Sequence, residues 1–136
     1  MGLFDALDIS GSGLSAERLR MDVTAENLAN AQTTKGANGQ PYQRKEVVLQ
    51  TAPAQSFDDV LNGVQVAAVT TDPSAPRRVY DPGHPDADAQ GYVTLPNVNP
   101  VTEMVDLITS SRGYEANVTA MNAAKQMFSK TFDILR

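Results

Sequence analysis

The residues with the most chemistry in them lie in one short segment, Asp81 to Pro96 (DPGHPDADAQGYVTLP). Asp81, His84, Asp86 and Asp88 set carboxylates at two-residue spacing beside an imidazole, a donor set that suits a divalent metal. The alternating ligands of an EF-hand, closed by a distant Glu, are absent, and Pro82, Gly83 and Pro85 describe a rigid exposed turn on their own. Turn chemistry accounts for these residues, so the expectation is no metal and no cofactor. His84 is the single histidine, so a serine–histidine site would need it beside a serine on the same surface. There is no GxSxG, no HExxH and no phosphate-cradling glycine loop; Gly11-Ser12-Gly13 is too short for a P-loop and lacks its Lys. Asp58-Asp59 reads as a solvated loop face. With no cysteine in the chain, disulfides, thiolate metal sites and a cysteine nucleophile are excluded. An enzyme is disfavoured.

The elements that must carry any other function are bounded by composition. A chain of 136 residues has room for one small domain with extensions. It is 41% apolar and 20% charged, globular rather than disordered. The net charge is −5 and both signs are spread along the chain, so no basic patch invites nucleic acid. No apolar run approaches the roughly 20 residues that span a bilayer, and MGLFDALDIS lacks the basic and apolar regions of a cleavable signal. Ala6 stands where myristoylation wants Ser or Thr. The expectation is a cytoplasmic protein, or one that leaves the cell without a cleaved signal, and no direct membrane insertion.

The two ends of the chain are helical and carry sevens. Asn99 is a good N-cap and Pro100 a good first helical residue, and from there to Arg136 there is no further proline and only one glycine, Gly113. Leu107, Tyr114, Met121, Phe128 and Leu135 recur every seventh residue, with Met104, Ser111, Val118, Lys125 and Phe132 as a companion row, the seam of a coiled coil. Near the N-terminus, Leu7, Leu14, Met21 and Leu28 form one row and Phe4, Gly11, Arg18 and Ala25 the other. Gly11, Gly13, Thr24 and Asn27 are poor helix formers, so this segment is not expected to hold alone. The same periodicity also fits an amphipathic helix lying on its own domain.

Between them lies β-rich material. Thr33 to Pro41 is turn; Tyr42–Gln50, Gly63–Thr71 and Arg77–Tyr80 read as strands, while Thr51 to Asn62 reads as loop. Three short strands make one small sheet with Tyr42, Val47, Leu49, Val64, Val66, Val69, Val79 and Tyr80 as its core candidates. The expected class is α+β: an N-terminal assembly helix at 1–34, a β-rich middle at 35–98 and a C-terminal assembly helix at 99–136, the two helical ends brought together.

Two segments carry a resemblance. VTAENLANAQT (Val23 to Thr33), around Asn27 and Asn30, resembles the N-terminal signature of the bacterial flagellar rod and hook axial proteins. EMVDLITSSRGYEANVTAMNAAKQM (Glu103 to Met127) resembles the paired C-terminal signature of that family, with Arg112, Tyr114 and Asn117. Gly113 departs from the family's usual Ala or Ser there. The short length and the loop Asp81 to Val98 are similar to proximal rod members. The resemblance implies a structural subunit that assembles helically through its terminal helices into the periplasm-spanning rod. The partners it implies are other rod proteins, copies of itself and the flagellar type III export apparatus. It also implies export without cleavage and disordered ends before assembly. Three alternatives remain at this level: another proximal rod subunit of the same family, a soluble coiled-coil adaptor with one cytoplasmic partner, and a small metal-dependent enzyme built on the Asp81–Asp88 loop.

Overall fold

The computed structural model describes residues 3–36, 38–52 and 63–134, with the backbone alone at 3, 4, 132 and 134. Its elements run α1 (Leu3–Ala29), β1 (Lys45–Thr51), β2 (Val64–Thr71), β3 (Arg77–Tyr80), β4 (Tyr92–Leu95) and α2 (Pro100–Ile134). The long helices at the two ends and the β-rich region between them are the α+β arrangement expected. The strands form two separate antiparallel pairs, β1 with β2 and β3 with β4, rather than one sheet.

α2 begins as its sequence dictates. The Asn99 side chain accepts the Val101 N–H at 3.1 Å, and the Asn99 carbonyl accepts the Glu103 N–H at 3.0 Å. α1 ends where Asn30 folds its side-chain amide back onto the Glu26 carbonyl at 2.9 Å and the chain turns to Thr33. The two helices pack against each other antiparallel. Gly13 lies against Asn117 and Gly113 against Glu17, while Asn27 reaches Glu103.

The contact between the helices is made by small and polar residues. Ala16, Ser110 and Ala124 are buried together with Val23, Thr24, Asn27 and Glu103. A Cβ on Gly13 would stand 2.8 Å from the Asn117 amide nitrogen, so a larger residue there would have to push that side chain aside. Leu107, Tyr114 and Met121 of the first row are half-buried and Phe128 of that row is exposed, while the companion runs one residue earlier, at Glu103, Ser110, Asn117 and Ala124. Met104 and Lys125, expected in the seam, are exposed, as are Arg18 and Ala25 of the N-terminal row. Apolar periodicity follows the largest side chains, whereas close backbone approach selects the smallest. The Ser110 hydroxyl is the one buried side-chain polar atom among the described residues without a hydrogen-bond partner. Ser110→Ala should therefore stabilise the fold by about 1 kcal/mol, read as a higher urea midpoint at unchanged m-value.

α1 stands between α2 and the β1–β2 hairpin, touching both. The helix rise from Ser12 to Asn27 is about 22 Å, and the strand rise from Lys45 to Thr51 is about 20 Å. The hairpin can therefore be pinned at both ends of the same helix. At one end the Ser12 hydroxyl accepts the Val64 N–H at 3.0 Å while donating to the Ile9 carbonyl at 2.7 Å. At the other, Lys45 is held by Asn27.

The core differs from the sheet core expected. Tyr42, Val47, Leu49 and Val66 are half-buried, but Val64, Val69, Val79 and Tyr80 are exposed. A two-stranded ribbon covered by a single helix cannot bury both strands, and among the described residues no helix packs on β3–β4. Burial is concentrated instead near the ends of the helices, in Val23, Ala31, Val93, Pro96 and Val98. β4 was hidden in the segment that reads as a turn; Gly91, at φ +81° with Tyr80 2.9 Å from any added Cβ, lets the chain reverse into it.

Candidate functional site

The polar residues converge where α1 ends, β1 begins and α2 begins. Asn27 is 1% exposed and uses both faces of its amide. Its nitrogen donates to the Lys45 carbonyl at 2.8 Å and to Glu103 Oε2 at 3.0 Å; its oxygen accepts the Lys45 N–H at 2.9 Å and the Tyr42 hydroxyl at 2.8 Å. One side chain thus does for Lys45 what a neighbouring strand would do, and all four of its hydrogen-bonding positions are used. Burial pushes the Tyr42 phenol up to about 12, with the charges of Glu26 and Glu103 adding to it.

Glu103 is also 1% exposed, and its other oxygen accepts Arg44 Nε at 2.6 Å. The hydrogen bond that Arg44 donates to Glu103 raises the already high pKa of the guanidinium further. That guanidinium also lies 3.7 Å from Asp106, 3.8 Å from Asp72 and 3.9 Å from Glu46. Asn97 closes the ring, accepting the Arg44 N–H at 3.0 Å and donating to the Asp72 carbonyl at 3.3 Å. A cavity of about 80 Å³ remains beside Arg20, Arg44 and Asp106. The arrangement offers no reacting geometry: every polar atom described is engaged in joining one element to another. It is a clasp that fixes how the terminal helices and the hairpin meet.

The loop singled out for metal chemistry is occupied with its own structure. Asp86 takes the Thr34 hydroxyl at 2.7 Å and pairs with Lys35, and its backbone N–H donates to His84 Nδ1 at 3.1 Å. Lys35, then Thr34, hold the Asp86 carboxyl below the usual carboxylate range. Asp88 accepts the Tyr92 and Gln90 N–H groups, each at 2.9 Å, and Arg78 at 2.6 Å, with the Tyr92 amide the main cause of its lowered pKa. Asp81 caps Gly83 at 3.2 Å. Among the described residues no group of three metal-ligating side chains converges.

The residues expected to assemble fall in different places. Asn27 is the centre of the clasp and Asn30 the cap of α1. Leu7, Leu14, Met21, Leu28, Leu107, Tyr114, Asn117, Val118 and Met121 are half-buried, and Arg112 and Phe128 are exposed. The Phe132 side chain and Leu135 lie outside the described residues, as does most of the Thr51–Asn62 segment. Glu103, Arg44 and Asn97 were not singled out as site residues. Their only signal is a carboxylate on the inner face of a helix and an arginine just before a strand, each of which reads equally well as surface charge.

Comparison with known proteins bears on what these joined helices are for. Residues 7–37 match the family model for the flagella basal body rod protein, and residues 89–134 match that of the flagellar basal body rod FlgEFG protein C-terminal. Across the whole chain, it is 50% identical to the flagellar basal-body rod protein FlgC of Bacillus subtilis, covering 98% of this chain and 99% of that one. The FlgC of Yersinia enterocolitica is 46% identical over 98% of each chain. That of Borreliella burgdorferi is 40% identical over 100% of this chain and 99% of its own. The chain belongs to the FlgC family of flagellar basal-body rod proteins. Both matched regions include half of the clasp: Asn27 lies in the first and Glu103 in the second.

The clasp carries a pH dependence of its own. Because the fold favours the neutral Tyr42 phenol, that contribution is complete below the ordinary tyrosine pKa near 10 and is lost as pH rises through about 12. A phenolate absorbance step near pH 12, accompanied by loss of helix, is expected, and Tyr42→Phe should abolish the step. If Tyr42 ionises near pH 10, the clasp is not closed around it.

Proposed function

We propose that this chain is a structural subunit of the bacterial flagellar basal-body rod, where it forms the proximal part of the drive shaft and acts by assembly and not by catalysis. The observation that carries the reading is the division of side chains on the helix pair. Small and polar residues make the most buried contacts inside the pair, and one set of large apolar residues on α2 points away from it. On α2, Val101, Met104, Val105 and Ile108 are exposed at i, i+3, i+4 and i+7, and Met127 and Phe128 are exposed further along. That spacing makes a single apolar stripe, a costly surface to leave in water and a natural one to bury against other subunits.

Sevens in the rows Glu103, Ser110, Asn117, Ala124 and Leu107, Tyr114, Met121 support a coiled-coil-like pairing of α1 with α2. The clasp would fix its register, as buried polar groups can. Copies of the same chain and other rod proteins are the partners of the outer face; the type III export apparatus delivers the subunit without cleavage of a signal. No helix among the described residues is long and apolar enough to cross a membrane.

Cells lacking this chain should build no complete rod and should not swim, and a tagged copy should restore both and be recovered in purified basal bodies. Normal swimming without it, or its absence from basal bodies in complemented cells, contradicts the reading.

A further inference from the structure

Two asparagines are followed directly by glycine, Asn38 and Asn62, and that pair of residue types has a chemistry of its own. A glycine carries no side chain to obstruct its backbone nitrogen, so the nitrogen can reach the amide carbon of the asparagine before it. The sequence does not rank one pair above the other, but the structure does. Asn38 and Gly39 are both exposed, in the turn that leads from α1 to β1. Gly39 has φ +73°, and no atom stands within 4 Å of the place a Cβ would take. Its N–H donates to the Gly36 carbonyl at 2.9 Å, a bond in an exposed turn that opens at little cost. Asn62 lies outside the described residues, but its glycine does not. Gly63 is pressed against α1, where a Cβ would stand 2.6 Å from Ser12 Oγ, and its carbonyl accepts the Ala52 N–H at 2.8 Å. The next amide, that of Val64, is bonded to Ser12 at 3.0 Å.

We propose that Asn38 is a site of spontaneous deamidation in the folded chain and that Asn62 is not. The Gly39 nitrogen gives up its proton to solvent base and bonds to Cγ of Asn38. The bond from Cγ to the side-chain nitrogen breaks, and that nitrogen takes up a proton from solvent and leaves as ammonia. One water molecule then opens the resulting five-membered succinimide. Attack at its side-chain carbonyl leaves Asp; attack at its main-chain carbonyl leaves isoaspartate. Water is consumed, ammonia is released and nothing is oxidised or reduced. Ring closure requires the Asn–Gly peptide group to turn. The open turn at Gly39 allows that, whereas Gly63 can turn only if the hairpin leaves α1. Both products carry a carboxylate where Asn38 is neutral, and isoaspartate adds one main-chain atom between Gly36 and Gln40. That segment is closed by the Gly36 N–H on the Gln40 carbonyl at 2.7 Å, a bond the longer chain must stretch. Tyr42, just beyond it, donates to Asn27, so the altered turn adjoins the clasp.

The inference does not depend on the rod reading. The purified full chain is aged in mildly alkaline buffer, once folded and once in urea, and both samples are followed by peptide mass mapping and by isoaspartate methyltransferase labelling. In the folded chain Asn38 should convert about tenfold faster than Asn62 or more, a ratio equal to roughly 1.4 kcal/mol of barrier. In urea the two should convert at similar rates. Asn38→Gln should remove the isoaspartate signal from the folded chain, because the longer side chain does not close a five-membered ring. An unchanged Asn38 in the folded chain, or an Asn62 that keeps pace with it there, overturns the proposal, as does an isoaspartate signal that survives Asn38→Gln. A difference that persists in urea also overturns it, since the cause would then lie in the flanking sequence and not in the fold.

Discussion

Glu103→Ala is expected to destabilise the folded chain by about 3 kcal/mol, because removing one member of a buried ion pair leaves the other without its partner. Arg44 would lose its 2.6 Å acceptor and Asn27 one of its two, inside a site where Glu103 and Asn27 are each 1% exposed. The remaining carboxylates near Arg44, at 3.7 to 3.9 Å, are longer contacts and keep the loss from being larger. For a domain whose whole stability is about 5–15 kcal/mol this is a large fraction. Urea denaturation measures it. The pair is not expected to be additive: with Arg44→Met already present, Glu103→Leu should cost much less than either change suggests alone. Loss of under 0.5 kcal/mol in Glu103→Ala would mean that the clasp does not hold the helices and hairpin together.

The second large effect is on assembly and leaves the monomer intact. Ile108 is exposed on the outer face of α2, so Ile108→Asp should change monomer stability by no more than about 0.5 kcal/mol. Within an apolar contact, burying the new charge should cost about 3 kcal/mol, roughly a hundredfold in each subunit–subunit equilibrium. The variant should be folded and secreted but absent from basal bodies, and its cells non-motile. Gln126→Ala, an exposed change that removes no apolar surface, should swim. Incorporation of Ile108→Asp at normal levels would show that the stripe is not an assembly surface.

Much of the fold was legible in the sequence because its signals are local. Asn99 and Pro100 start α2, alternating valines mark β2, and sevens mark both helices. On α2 the row of Leu107, Tyr114 and Met121 is half-buried, but its companion lies one residue earlier than expected, because apolar pattern locates large side chains such as Met104, which is exposed, while Ser110 and Ala124 are buried with Ala16. The single sheet was not legible as two hairpins, since strand pairing depends on which element α1 can cover. The clasp was the least legible part. Asn27 was singled out through resemblance, but nothing local distinguishes an Arg44 that meets Glu103 across 59 residues from one that faces water. The Asp81–Asp88 loop shows the converse. Its residue types suggest metal chemistry, and its hydrogen bonds to Thr34, Gly83, Gln90 and Tyr92 show a turn built from the same carboxylates.

A side-chain-resolution reconstruction of the assembled rod reads this arrangement out. In it α1 and α2 of each copy should remain paired through Gly13, Ala16, Ser110 and Ala124, with Asn27 on Glu103, and Val101, Met104, Val105 and Ile108 should be covered by a neighbouring subunit. Helices separated from each other in the rod, or an apolar stripe left facing solvent there, would contradict it.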